Sequence, residues 1–293
     1  MAKNILIIYT GGTIGMKHKD GFNSPLIPQK PKEFEKLLTQ NISYPNIELI
    51  SFPKPIDSSD LNIKHWNKIV KIIKNNYAQY DGFVILHGTD TLAYTSSLLS
   101  LVLKNLNKPI VLTGSQLPLI YENSDATTNL NNSIDFILDN DYRGVYVCFG
   151  GKNIYNGYNV YKNDINSFDG FASLQKVKFK KIKRQFNSKQ LKIFKINDTK
   201  ILYIHLYPNI SLESWDMDKF DTIVISSYGN ANMPIKLAKR LSKIDKPIIL
   251  ISQCKYGMIE LGNYQSSKLI SQKENLKVIS NITTEYAIAK AYI

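Results

Sequence analysis

Cysteine and arginine are scarce in this sequence. Its two cysteines, Cys148 and Cys254, lie far apart and match no metal-binding spacing, which excludes a disulfide-rich secreted domain and favours a reduced, cytoplasmic protein. Only three of its 37 lysines and arginines are arginine. Because arginine makes the best bidentate contacts with phosphates and bases, the net charge of +13 is poor evidence for a nucleic-acid partner. The densest basic stretch, residues 176–184, favours a solvated strand or extended linker.

Long hydrophobic runs are also absent. No apolar stretch approaches the roughly 20 residues that cross a bilayer, so the sequence predicts no membrane partner. Residues 1–10 carry one lysine and a short aliphatic run without a cleavage site, which is typical of a first strand rather than a secretion signal. With 293 residues, of which 43% are hydrophobic, the chain can build one large or two modest globular domains.

Apolar runs of strand length alternate with segments of helical spacing. The predicted strands of the first part are residues 4–10, 47–52, 83–88, 109–115 and 144–150. The predicted helices between and after them are residues 31–40, 63–78, 91–106 and 129–140. This alternation predicts an α/β fold with a mostly parallel sheet flanked by helices. Ligands of such sheets bind beyond the carboxyl ends of the strands.

The pattern weakens after residue 152, where charge rises and turn residues accumulate. The predicted organisation is a large N-terminal α/β domain at residues 1–180, a linker at 181–200 and a smaller C-terminal α/β domain at 201–293. In the smaller domain the predicted elements are strands at 201–208, 222–229 and 247–253, a helix at 234–243 and a terminal helix from about residue 283.

The first predicted strand runs into a glycine-rich turn that carries a hydroxyl group. Residues 8–16 read IYTGGTIGM, with Thr13 inside the turn. Three interpretations compete, namely a phosphate-binding loop, a turn without function, or a nucleophile held at the tip of a strand. The glycines match neither G-x-G-x-x-G nor the G-K-[ST] ending of a P-loop, which disfavours a nucleotide site.

A second turn, HGTDT at residues 87–91, follows the third predicted strand in the same way. Gly88 permits a tight exit from the sheet, although Thr89 or Asp90 could serve only to cap the next helix. Two further polar turns also follow strands, DSSD at 57–60 and TGSQLP at 113–118. Because the carboxyl ends of parallel strands meet at one edge, the four turns predict a polar pocket.

Taken in this order and at these separations, TGGTIGM, DSSD, HGTDTLAYT and TGSQLP closely resemble the L-asparaginase family, and its cytoplasmic type I bacterial members in particular. Shorter matching segments extend the resemblance along nearly the whole chain, namely DGFAS at 169–173, SYG at 227–229 and SQC at 252–254. The resemblance implies an enzyme that hydrolyses L-asparagine, a small-molecule substrate, to L-aspartate and ammonia without a cofactor or metal.

The resemblance also implies a two-step reaction through a threonine ester. Thr13 matches the nucleophile that attacks the side-chain amide. Thr89, Asp90 and Lys162 match a second triad, in which a neutral lysine takes a proton relayed through the threonine. Taken alone, Lys162 would be one more surface lysine, and its assignment depends on the K-x(6)-DGFAS segment.

For substrate binding, the family pattern places Asp57, Ser58 and Ser59 around the α-amino and α-carboxylate groups, with Asp90 pairing with the ammonium. The implied oxyanion hole is formed by backbone N–H groups near Gly12 and Thr89.

The resemblance further implies a homodimer or homotetramer in which the neighbouring subunit closes the site. Asn232 and Glu285 match the residues expected there, although a turn residue and a helix-surface acid explain them equally well. A role with nucleic acid or in tRNA-dependent amidotransfer rests on the net charge and is not expected.

Two departures from the family pattern bear on activity. Phe22 follows Gly21 where the family usually has a loop tyrosine, so the ring lacks a hydroxyl that could relay a proton. The chain also stops some tens of residues before family members usually end, and we expect a smaller domain that is shortened at its end. The alternative function is therefore a low-activity or inactive homologue that binds asparagine or aspartate as a sensor.

Overall fold

A computed structural model describes residues 3–21, 23–139, 142–151, 153–174, 190–211 and 215–293. Phe22, the basic stretch at 176–184 and the predicted linker up to residue 189 lie outside the described residues. The chain forms two compact units, Met1–Phe194 and Lys195–Ile293. Their division falls inside the predicted linker, and the domain limits drawn from the sequence stay predictions.

The first unit alternates strands and helices along most of its length. Its described strands are β1 (Ile5–Gly11), β2 (Met16–His18), β3 (Leu26–Pro28), β4 (Ile47–Ile56), β5 (Gly82–Leu86), β6 (Leu103–Lys104), β7 (Pro109–Thr113), β8 (Gly144–Cys148), β9 (Ile154–Asn156), β10 (Val160–Lys162), β11 (Phe171–Ser173) and β12 (Lys192–Ile193). Its described helices are α1 (Pro31–Asn41), α2 (Ile63–Asn76), α3 (Leu92–Val102) and α4 (Ala126–Asp139). Short 3-10 turns at Thr13–Gly15 and Ser58–Asp60 follow β1 and β4.

The main sheet of this unit has the strand order β4-β1-β5-β7-β8-β9. Its first five strands are parallel, and β9 is antiparallel to β8. Strands β1, β5 and β7 are buried along their whole length, which is why they appear in the sequence as unbroken apolar runs. Phe34 of α1 and Leu130 of α4 pack in one core cluster with Ile7 of β1. The predicted α/β fold with a mostly parallel sheet flanked by helices is confirmed.

One predicted helix is wrong at its end. The pattern predicts a helix over 91–106, but α3 ends at Val102 and the next two residues form β6, which pairs antiparallel with β12. Asn105 has a φ of +59°, in the left-handed region that asparagine tolerates and an α-helix does not use. Pairing with a distant strand therefore overrides the local helical spacing.

The second unit repeats the architecture on a smaller scale. Its described elements are β13 (Ile201–His205), β14 (Thr222–Ser227), α5 (Ile235–Lys243), β15 (Ile248–Ser252), α6 (Gln265–Lys268), β16 (Leu276–Val278) and α7 (Thr284–Ala291). The four strands form one parallel sheet in the order β13-β14-β15-β16. Leu237 of α5 packs with Ile225, whereas Ala287 of α7 packs with Val224. Neighbouring residues of β14 therefore face helices on opposite sides of the sheet.

The described helices of both units share a further property. None of them is both long and apolar enough to pass through a lipid bilayer.

A buried chain of hydrogen bonds fixes the residue that follows β5. His87 is 1% exposed, with Nδ1 2.8 Å from the carbonyl oxygen of Gly88 and Nε2 2.9 Å from the Thr95 hydroxyl. Because a carbonyl can only accept, Nδ1 carries the proton and Nε2 accepts from Thr95, whose oxygen accepts from Trp66 Nε1 at 3.0 Å. Each donor therefore meets an acceptor while the ring stays neutral, and burial lowers the pKa of His87 to about 4.

This histidine makes stability depend on pH. The unfolded imidazole takes up a proton below its ordinary pKa of 6.5, whereas the folded one resists protonation until about pH 4. The stabilisation is therefore fully present above pH 6.5 and is lost as the pH falls to 4, by about 3 kcal/mol in the free energy of unfolding. We expect His87→Asn, whose amide can still donate to Gly88, to lose this part of the pH dependence.

Urea unfolding of the natural protein and of His87→Asn at pH 7, 6, 5 and 4 gives the difference in their free energies of unfolding. The contribution of the carboxylates, which both proteins share, cancels in this difference. His205→Asn, at an exposed histidine of β13, is the matched control. Parallel curves for the natural protein and His87→Asn would contradict the assignment of a neutral, buried ring.

Candidate active site

The carboxyl ends of β1 and β5 touch through their backbones. Gly12 has a φ of +85°, and a Cβ atom on it would lie 2.4 Å from the Cα of Gly88. A Cβ atom on Gly88 would in turn lie 2.4 Å from the hydroxyl oxygen of Ser58. Contacts this short do not occur with real side chains, so glycine is required at both positions. Thr13 and Thr89 directly follow these two glycines and therefore belong to one site.

The turn after β4 is fixed against the turn after β5. One carboxylate oxygen of Asp57 accepts both the N–H and the O–H of Ser59 at 2.9 Å, which shapes the 3-10 turn. The Thr91 hydroxyl donates to the carbonyl oxygen of Ser58 at 2.8 Å. Ser58 is buried, whereas Asp57 and Ser59 are exposed and remain accessible to a ligand.

Thr89 and Asp90 do not cap the helix that follows them. The cap position of α3 belongs to Thr91, which makes no side-chain capping bond, so the capping interpretation is wrong. Both residues instead accept hydrogen bonds from Lys162, whose Nζ lies 2.9 Å from Thr89 Oγ1 and 2.7 Å from Asp90 Oδ1. The structure thus brings Lys162 to two adjacent residues from which it is more than 70 positions away in the sequence.

The surroundings of these three groups differ. Thr89 is 6% exposed, the Lys162 side chain is 23% exposed and the Asp90 side chain is 63% exposed. Water therefore screens the ion pair, which contributes on the order of 0–1 kcal/mol to stability. The ion pair instead fixes the position of the Lys162 nitrogen next to the buried Thr89 hydroxyl.

Two hydrogen bonds from outside the turn hold the backbone that carries Thr13. The Tyr9 hydroxyl donates to the carbonyl oxygen of Gly15 at 3.1 Å, and Leu119 N–H donates to that of Ile14 at 3.1 Å. Burial raises the pKa of Tyr9, which keeps its hydroxyl protonated as a donor. The half-buried Thr13 hydroxyl makes no hydrogen bond to any other residue that the structure describes.

The backbone donors near the two threonines are not equivalent. Gly12 N–H donates to the carbonyl oxygen of Ile56 at 3.0 Å, so an oxyanion donor near Gly12 has to be a neighbouring N–H group. Within the described parts of the chain, the N–H groups of Thr13 and Thr89 have no acceptor. These two are the groups that can stabilise a developing oxyanion.

The fourth turn, residues 113–118, depends on an aspartate that the sequence analysis missed. Asp125 accepts the N–H of Gln116 at 3.0 Å, the N–H of Leu117 at 3.1 Å and the amide of Asn129 at 3.0 Å. Asn129 also donates to the carbonyl oxygen of Gly114 at 3.0 Å. The only sequence signal for Asp125 is its place just before a helix, which also fits a simple cap.

The same turn fastens the loop that follows Lys162. The Gln116 amide donates to the carbonyl oxygen of Ser167 at 2.9 Å, and Asn163 N–H donates to that of Gly170 at 2.8 Å. Lys162 itself is at the end of β10, opposite Phe171 in the β10–β11 hairpin. The backbone of Lys162 is thus fixed by the hairpin on one side and by the anchored loop on the other.

Asn232 and Glu285 lie in the second unit. The side-chain oxygen of Asn232 accepts from Met233 N–H at 3.0 Å and from the Ser266 hydroxyl at 2.9 Å. Glu285 is half-buried in the first turn of α7, and burial raises its pKa. Their predicted role beside a neighbouring subunit stays a prediction.

The described residues contain no group of three histidine, cysteine, aspartate or glutamate side chains placed to hold a metal ion. The groups gathered at this edge of the sheet are hydroxyls, a lysine, carboxylates and two backbone N–H groups. That set can support nucleophilic attack, proton transfer and oxyanion stabilisation.

Comparison with known proteins gives a consistent result. A family model described as "Asparaginase, N-terminal" matches residues 4–194. L-asparaginase 1 of Escherichia coli (strain K12) is 30% identical over 288 residues, which cover 92% of this chain and 85% of that protein. The solved L-asparaginase of Thermococcus kodakarensis superposes with a TM-score of 0.81 at 27% identity, covering 98% of this chain and 91% of that chain.

L-asparaginase I of Vibrio cholerae O1 biovar eltor str. N16961 superposes equally well, with a TM-score of 0.81 at 28% identity. The superposition covers 100% of this chain and 92% of that chain. Because the family model spans more than half of the sequence and the relatives align over most of their own length, the chain belongs to the asparaginase family.

Proposed function

We propose that this protein hydrolyses L-asparagine to L-aspartate and ammonia, with the Thr13 hydroxyl as nucleophile. The observation that carries the proposal is the contact between two threonine-bearing turns, one of which is hydrogen-bonded to Lys162. Membership of the asparaginase family supports the same reaction, since the relatives in E. coli, T. kodakarensis and V. cholerae are named L-asparaginases.

In the first step, the Thr13 oxygen bonds to the side-chain amide carbon of asparagine as its own O–H bond breaks. The carbon–nitrogen bond then breaks, and the nitrogen leaves as ammonia after taking up a proton, which leaves a β-aspartyl ester on Thr13. In the second step, water attacks the ester carbon, aspartate leaves and the threonine oxygen recovers its proton. Splitting the hydrolysis in this way replaces one difficult displacement by two easier ones.

Thr89 and Lys162 supply the proton transfers. A threonine hydroxyl is a weak nucleophile at neutral pH and needs a base within hydrogen-bond reach. Lys162 Nζ lies 2.9 Å from Thr89 Oγ1 and exchanges a proton with Thr89, which relays the proton that leaves at the reacting centre. The N–H groups of Thr13 and Thr89 stabilise the oxyanion, an effect usually worth a few kcal/mol of barrier.

The α-ammonium and α-carboxylate groups of asparagine pair with polar and charged side chains around the opening of the site. Asp90 is exposed and uses one oxygen for Lys162, which leaves the carboxylate able to pair with the α-ammonium group. Asp57, Ser58 and Ser59 surround the α-ammonium and α-carboxylate groups, with Asp57 and Ser59 exposed and Ser58 buried behind them. Gly12 contributes by having no side chain, which lets the turns and the substrate approach each other closely.

We further propose a type I-like, cytoplasmic homo-oligomer. Similarity to E. coli L-asparaginase 1 and V. cholerae L-asparaginase I supports the type, and two free cysteines support a reducing compartment. Exposed Tyr256 and Met258 support association, because exposed large apolar side chains often mark interfaces. In the oligomer, Asn232 and Glu285 would complete a neighbouring subunit's site.

Removing the nucleophile tests the reaction directly. We expect Thr13→Ala to lower the rate of ammonia release from L-asparagine by about 10³-fold or more, because no other group replaces the lost oxygen. Thr13→Ser should retain measurable activity. A coupled ammonia assay with the purified proteins gives the rates, and Thr39→Ala on the exposed face of α1 is the matched control.

Equal rates for the natural protein and Thr13→Ala would overturn the assigned nucleophile. If the natural protein binds aspartate but releases no ammonia, the sensor function replaces the enzymatic one.

Removing the lysine tests the proton relay. We expect Lys162→Met to lower kcat by about 10²–10⁴-fold, the usual range for loss of a general base, while aspartate binding by titration calorimetry changes far less. Lys71→Met, on the exposed face of α2, is the matched control. A kcat within two-fold of the natural value would exclude Lys162 from the relay.

A further inference from the structure

The strands β2 and β3 form a hairpin that begins directly after the turn carrying Thr13. Only three residue pairs join them, Met16 to Pro28, Lys17 to Ile27 and His18 to Leu26. A two-stranded hairpin of this length is marginally stable in water. Bonds within its loop, such as Lys19 N–H to the carbonyl oxygen of Pro25 at 3.1 Å, add to these pairs, and contacts outside the hairpin fix its position.

The base of the hairpin is coupled to the nucleophile turn. Gln29 N–H donates to the carbonyl oxygen of Gly15 at 2.9 Å, and the Gln29 side chain donates to that of Met16 at 3.3 Å. Gly15 is the last residue of the 3-10 turn that starts at Thr13. A movement of the hairpin is therefore transmitted to the turn.

His18 links the far end of the hairpin to the loop that contains Tyr121. His18 Nδ1 lies 2.6 Å from the carbonyl oxygen of Ser24, and Nε2 lies 2.5 Å from the Tyr121 hydroxyl. Because the carbonyl can only accept, Nδ1 carries the proton and the Tyr121 O–H donates to Nε2. One imidazole thus links Tyr121 to the end of β2 and to the loop that precedes β3.

Tyr121 can serve as an anchor because its own loop is well fixed. Tyr121 N–H donates to the carbonyl oxygen of Pro118 at 3.1 Å, and Ser124 N–H donates to that of Tyr121 at 3.1 Å. The Ser124 hydroxyl donates to the Leu117 carbonyl oxygen at 2.8 Å. Leu119 of the same loop donates to Ile14 in the nucleophile turn, as described above.

We propose that Tyr121 is a positioning residue for the asparagine hydrolysis, which acts through His18 to hold the β2–β3 hairpin and, with it, the turn that carries Thr13. The catalytic consequence rests on the proposed function. The hold of Tyr121 on the hairpin rests on the hydrogen bonds alone. The effect on hydrolysis and the hold on the hairpin can therefore be refuted separately.

Tyr121→Phe removes the hydroxyl and keeps the ring. Loss of one such bond shifts an equilibrium about five-fold, so hydrogen–deuterium exchange of the hairpin amides of Lys19 and Ser24 should become about five-fold faster. Misplacing the nucleophile should lower kcat about five- to ten-fold and change KM less than two-fold. The thermal unfolding midpoint should stay within about two degrees of the natural value, because no core packing is lost.

Tyr207→Phe, at a tyrosine of the second unit that is 55% exposed, is the matched control. In a His18→Ala background, Tyr121→Phe should have a clearly smaller effect on exchange and kcat, because the His18 acceptor is already gone.

Unchanged exchange in Tyr121→Phe would overturn the hydrogen-bonded tie. Faster exchange with an unchanged kcat would overturn the positioning role. If the natural protein releases no ammonia, the proposed function fails, while the exchange measurement still decides whether Tyr121 holds the hairpin.

Discussion

The backbone contact between Gly12 and Gly88 is the constraint on which the rest of the site depends. It brings the ends of two neighbouring parallel strands closer than any side chain would permit, and Ser58 packs into the same space. The two threonines that follow the glycines therefore share a site without any direct bond between them. Parallel strands ordinarily leave their carboxyl ends about 5 Å apart in a row, so the glycines convert a sheet edge into a compact cluster.

The polar groups that hold this cluster lie beneath it and are largely uncharged in the folded state. Tyr9 keeps its proton and His87 stays neutral because burial disfavours their charged forms. The exception is Asp125, whose carboxylate is satisfied by backbone and amide donors. Charge that can respond to a substrate is thereby concentrated at the rim, in Lys162 and the exposed Asp90. This separation of a rigid support from an ionic rim suits a reaction in which charge develops only at the reacting centre.

The sequence was informative where burial on both faces of the sheet leaves a continuous apolar run, as in β1, β5 and β7. The family resemblance found Thr13, Thr89, Asp90 and Lys162 through motifs, and the structure brings the last three within hydrogen-bond distance. Local patterns could not reveal β6, because its pairing with β12 is set by residues far away in the chain. They also could not reveal that the Gly12 N–H is used by Ile56, since hydrogen-bond partners across strands depend on register. The hydrogen bonds of the Tyr9 and Tyr121 hydroxyls depend on the direction in which each side chain points. Residue spacing alone does not encode that direction.

The long separation between partners in the site has a consequence for biosynthesis. Lys162 and Thr89 are 73 residues apart, and the β10 strand that carries the lysine is stabilised by β11, which ends at Ser173. Contacts of such high sequence separation form late, because the intervening chain must first be ordered. A chain emerging from the ribosome, N-terminus first, thus exposes Thr13 and Thr89 long before Lys162 is made. The pairing of Thr89 with Lys162 therefore arises only when the first unit closes, and not gradually with chain length.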